Sequence, residues 1–167
     1  FDAGVHGADY QNTEKIQREH DDFAALSGTM SFGIRNHYVR FDESTFGKMA
    51  RAGYLYDSTW FNKQELEFRA PYKVGEMWEF PLHIMDGYIC YPGRVEEGIA
   101  ATKDAISQAE AAGMPYCTIL FHDYQFDERY DPQTKCWYEE TVRYCEERGY
   151  EFISYRDAIK ELEAEEC

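Results

Sequence analysis

Cys117-Thr118-Ile119-Leu120-Phe121-His122-Asp123 is a short apolar, partly β-branched run that stops abruptly at a histidine and an aspartate. The pattern predicts a buried strand that delivers two polar side chains at its C-terminal end. Where strands alternate with helices, that end gathers ligands and chemistry, because the following loops vary while the strand holds position. His122 is therefore a catalytic candidate, and the competing reading makes it a strand cap held by a backbone hydrogen bond.

On either side of this strand the chain predicts helices. Val95, Ile99, Ile106 and Ala109 keep helical spacing across Gly93–Ala112, with Gly113 as the stop; Trp137, Thr141, Tyr144 and Cys145 do so across Gln133–Arg148, with Gly149 as the stop. Further out, Tyr150–Ser154 reads as a strand and Arg156–Glu165 as a helix. Towards the N-terminus, Phe1–His6 reads as the tail of a strand, and Asn12 or Thr13 caps a helix that runs to about Leu26 before Gly28. Ile16, His20 and Phe23 form its inward face, with His20 a satisfied, partly buried residue. Ser31–Arg35 and Tyr54–Asp57 are strand candidates on either side of a short helix capped by Asp42 or Ser44. Residues 58–75 lack a period and read as a long loop. Met77–Met85 alternates apolar residues with Glu79 and His83, as an edge strand or strand end does around Pro81. The β-α-β-α order predicts an α/β fold with parallel strands and outer helices, a wound sheet or a barrel, in a single domain over residues 1–167.

Composition bounds the function. The chain has 167 residues, 44% of them hydrophobic, and its net charge of −15 disfavours nucleic acid and anionic membrane surfaces as partners. No apolar run approaches the roughly 20 residues of a membrane span. Five cysteines at irregular spacings fit neither a disulfide framework nor a cysteine zinc site, so reducing conditions and a cytoplasmic location are the expectation. Cys117 and Cys145 read as small buried thiols.

Four ordered segments, DAGVHGADY (2–10), GIRNHY (33–38), AGYLYDSTW (52–60) and TILFHDYQFDE (118–128), together resemble the polysaccharide deacetylases of the NodB type, carbohydrate esterase family 4. The likeness extends through EFISYRDAI (151–159). The resemblance implies a distorted (β/α)-barrel, and a hydrolase that removes an N-acyl group, typically acetyl, from an amino sugar with the help of a divalent metal such as zinc. It would make His122 the general acid, His6 a metal ligand with Asp9 the nearby hard oxygen, and the Tyr38 backbone amide an oxyanion donor. Arg35 would orient a base aspartate, Asp57 would tune the acid histidine by a carboxylate–histidine contact, and Trp60 would support the site or the sugar. A sub-branch with HGxD and a PLHIMD-like strand would set His83 and Asp86 beside the pocket; the alternative leaves His83 as the polar partner in an alternating strand.

Three departures accompany the likeness. The family's second histidine falls at Tyr10, and the proline of the arginine motif is His37. The motif that supplies the base and the metal-binding aspartate belongs upstream of His6, so the chain is expected to be the C-terminal portion of such a domain, with an open sheet edge covered by an N-terminal segment or an oligomer partner. A different class of function, a glycan-binding or scaffold domain that keeps the fold without catalysis, is the alternative, and an amidohydrolase of non-sugar amides is a third.

Overall fold

The computed structural model describes residues 2–91, 93–127, 129 and 132–165, which form two compact units. The first unit comprises the chain up to Phe61, Pro71–Pro81 and the stretch from Ile153 onward. Its sheet contains β1 (Gly4–Gly7), β2 (Gly33–Asn36), β3 (Tyr56–Asp57), β4 (Tyr72–Val74) and β5 (Met77–Glu79) in the order β1-β2-β3-β5-β4. All neighbours are parallel except β4 and β5. Two crossover helices, α1 (Thr13–Ser27) and α2 (Thr45–Ala52), carry the chain back after β1 and β2.

Local chemistry sets those helix limits. The Asn12 side chain accepts the Lys15 N–H at 3.0 Å, and Gly28, at φ 72°, donates its N–H to the Ala24 carbonyl in a left-handed C-cap. Ile16 and His20 turn inward to join Phe32, Ile34, Met49, Tyr54 and Met77 in the core. Between β2 and β3 the strands meet over Gly33, where a β-carbon would lie 2.1 Å from the Tyr56 ring. Only glycine fits there.

The second unit comprises Asn62–Ala70 and Leu82–Phe152. Here β6 (Ile84–Met85) and β7 (Ile119–Leu120) pair in parallel, joined by the one-turn α3 (Asp86–Ile89) and by α4 (Val95–Ala111), and α5 (Pro132–Glu147) packs on α4. Trp137 is fully buried between these helices, and its indole N–H donates to Thr102 Oγ1 at 2.8 Å. A final helix, α6 (Tyr155–Glu165), belongs to the first unit.

Three elements differ from the sequence reading. The run 77–85 is two strands in two different sheets, because Pro81 lies between them and cannot donate to a ladder. The loop expected over 58–75 contains β4, and Tyr150–Ser154 forms no strand. The start expected at Phe1 lies outside the described residues. The fold is α/β, with no closed barrel among the described residues.

Candidate functional site

Parallel pairing brings polar side chains together at the C-terminal end of each sheet. In the second unit Met85 pairs with Leu120, so the residues that follow, Asp86 and His122, leave β6 and β7 at the same end. His122 Nδ1 lies 2.7 Å from Asp86 Oδ1, and the His122 backbone N–H donates to Asp86 Oδ2 at 2.6 Å. Asp86 is almost wholly buried whereas the His122 side chain is 39% exposed. The carboxylate thus holds the proton on Nδ1 and fixes the ring, which leaves Nε2 as the nitrogen for a substrate. This corrects two expectations. The carboxylate bonded to His122 is Asp86, expected to bind substrate, and not Asp57.

His83, also expected to bind substrate, is buried and structural. Its Nδ1 accepts the Thr118 N–H at 3.1 Å, which places the ring proton on Nε2, 3.1 Å from the Arg69 carbonyl. Burial pushes its pKa down, consistent with a neutral ring that ties β6 to two other segments. Neither nitrogen remains for a ligand. Burial likewise pushes the Cys117 thiol up to about 12, so this cysteine is no nucleophile, and all four described cysteines are free thiols.

In the first unit His6, Arg35, Asn36, Asp57 and Glu79 occupy the C-terminal ends of their strands. Asp57 and Glu79 are register partners on β3 and β5, both fully buried, and each perturbs the other's titration. Thr59 donates to Asp57 Oδ1 at 2.5 Å and the Trp60 N–H donates to Glu79 Oε1 at 2.9 Å. Asp57 Oδ2 and Glu79 Oε2 have no hydrogen-bond partner. Two carboxylates buried on neighbouring strands disfavour double ionisation, so the site favours a bound proton. Desolvation raises the pKa of both, and the Asp57 charge lifts Glu79 further. Sequence reading missed Glu79; its one signal was a carboxylate set between Trp78 and Phe80 in an apolar run.

Arg35 moderates this pair electrostatically, and its guanidinium is held by Ser58 and Tyr155. Nε donates to the Ser58 carbonyl, and Nη2 to Ser58 Oγ and the Tyr155 hydroxyl, each at 2.9 Å. Trp60, expected to face sugar, is instead buried at 7% exposure. Tyr38 is 65% exposed with φ 58°, stacked on His37 at 4.0 Å between ring centroids.

His6 is exposed, and its ring centroid lies 4.9 Å from that of His37. Asp9 is engaged in the turn before α1: Oδ1 accepts the Gln11 and Asn12 N–H groups at 2.9 and 2.7 Å, and Oδ2 pairs with Lys15. Those bonds hold its pKa below the usual carboxylate range. Among the described residues no three His, Cys, Asp or Glu side chains gather closely enough to hold a metal. The donors present therefore do not by themselves fit the zinc site that the resemblance implies.

No family model, curated protein or solved structure matches the chain. The functional reading accordingly rests on residue chemistry. No described helix is long and apolar enough to cross a membrane.

Proposed function

We propose that this chain is a hydrolase of the polysaccharide-deacetylase type that cleaves the N-acyl amide of an amino sugar, with His122 as its acid. The observation that carries the reading is the Asp86–His122 pair, a buried carboxylate 2.7 Å from a half-exposed imidazole. Water adds to the acyl carbon, the carbon–nitrogen bond breaks, and the products are a carboxylate and a free amine, the two protons of the water passing to solvent and to the regenerated imidazole. The departing nitrogen needs a proton, and protonated Nε2 supplies it while Asp86 stabilises the positive ring through Nδ1. The parallel strands β1, β2, β3 and β5 are the part of the sheet that a distorted barrel of this family would require. These steps use only the chain's own residues, and elemental analysis of the purified protein checks the divalent-metal part of the reading.

The test is acetate release from N-acetylated glucosamine oligomers by wild type, His122→Ala and His122→Gln. Loss of about a hundredfold or more in both variants is expected; an unchanged rate in either refutes the acid role. A second reading, a glycan-binding domain without catalysis, is favoured by Tyr10 at the expected second histidine and by the lack of a three-donor set among the described residues. Glycan binding with neither bound metal nor acetate release selects it.

A further inference from the structure

The Asp86–His122 pair hangs on a short piece of sheet. Among the described residues β6 and β7 pair only with each other, Ile84 with Ile119 and Met85 with Leu120. A parallel ladder this short guards its register weakly. A strand advances about 3.3 Å per residue, so a slip of one residue would carry His122 out of hydrogen-bond reach of Asp86. In the structure Asp86 holds the His122 N–H at 2.6 Å and Nδ1 at 2.7 Å.

His83 supplies what the ladder lacks. Its ring is 4% exposed and stands three residues before Asp86, bonded to Thr118, which stands four residues before His122. The His83 and Ile84 N–H groups donate to the Thr118 carbonyl at 3.1 and 3.2 Å, and the Thr118 N–H donates back to His83 Nδ1 at 3.1 Å. Both polar backbone groups of Thr118 are thus committed to this one position. With Nδ1 accepting, the ring proton is on Nε2, which serves the Arg69 carbonyl at 3.1 Å rather than the Arg69 N–H at 3.3 Å. Held from behind by Arg69, the ring cannot follow a slipping strand, and a slipped β7 would leave Nδ1 buried without its donor.

We propose that His83 is a positioning residue for the Asp86–His122 pair: its Nδ1 fixes Thr118, and with it the register that brings His122 to Asp86. The positioning is independent of the hydrolase reading, and only its effect on turnover rests on that reading.

The experiment compares two variants that each keep one half of the ring's bonding. In His83→Asn the side-chain oxygen takes the place of Nδ1 and can accept the Thr118 N–H, while the reach to Arg69 is lost. In His83→Gln the longer amide donates to the Arg69 carbonyl and leaves Thr118 unserved. Nuclear magnetic resonance reads the His122 Nδ1 proton, moved downfield by Asp86, and in wild type the coupling across the hydrogen bond between the Thr118 and His83 Nδ1 nitrogens. The coupling should be present, and the His122 signal should stay in place in His83→Asn and move upfield or broaden in His83→Gln. With N-acetylated glucosamine oligomers, kcat for acetate release should fall at least about tenfold in His83→Gln and less than about threefold in His83→Asn, with KM unchanged. A ring that merely fills space would make the two variants alike. Like behaviour of the two, in signal or in folding, the reverse order, or no coupling in wild type overturns the proposal. The expected signals without acetate release by wild type keep the positioning role and sink the hydrolase. Acetate release by wild type with the His122 signal unmoved in His83→Gln does the reverse.

Discussion

Replacing Glu79 by Gln tests whether the buried pair on β3 and β5 carries a proton. Glutamine keeps the shape of protonated glutamate: its carbonyl can still accept the Trp60 N–H, and its neutral amide removes the charge that Asp57 opposes. In wild type the folded chain holds Glu79 protonated well above its ordinary value of 4.5, so the folded state keeps a proton that the unfolded state has released. Stability from this group is complete below about 4.5 and is lost as pH rises towards the raised folded value. One proton of difference corresponds to about 1.4 kcal/mol per pH unit across that window. Arg35, held by Ser58 and Tyr155, faces the pair in both proteins and therefore drops out of the comparison. As pH rises above the ordinary glutamate range, wild type should lose stability more steeply than Glu79→Gln. Urea unfolding at each pH measures the slopes, and an infrared carbonyl band of protonated carboxyl that persists above the ordinary glutamate range in wild type should weaken in the variant. Parallel stability profiles for the two proteins would refute the bound proton.

Asp86→Asn should cut acetate release about a hundredfold or more, because the amide N–H would face Nδ1 and move the ring proton to Nε2; a near-wild-type rate would show that the carboxylate does not set the tautomer. Gly33→Ala should destabilise by about 1–3 kcal/mol, since its methyl would meet the Tyr56 ring, which is itself stacked on Tyr155; denaturant midpoints measure this, and no shift would contradict the close approach. Tyr155→Phe removes the hydroxyl that accepts from Arg35 Nη2 and should cost about 1 kcal/mol, read from the same midpoints. An unchanged midpoint would mean that the Ser58 bonds alone hold Arg35.

Much of the local structure is legible in residue order. Asn12 and Gly28 bound α1, Gly53 ends α2, and the apolar run before His122 contains β7, because caps and short apolar runs act through neighbours in sequence. The run 77–85 reads as one strand because period-two alternation states which residues share a side and not whether the other side meets water. Glu79 and His83 hold alternating polar positions, yet both are buried, and each is bonded to groups distant in sequence: the Trp60 N–H for one, the Thr118 and Arg69 backbone for the other.

By itself the sequence determined the α/β class, the main helices, and His122 at the end of an apolar strand. Tertiary structure alone decided His122's partner and the buried pairing of Asp57 with Glu79. Asp86 reaches His122 across 36 residues because β6 and β7 pair in register, and Asp57 meets Glu79 because β3 and β5 do. Hydrogen-bonded strand pairing, and the cost of burying an unpartnered charge, select those contacts; neither is written in the spacing of one segment.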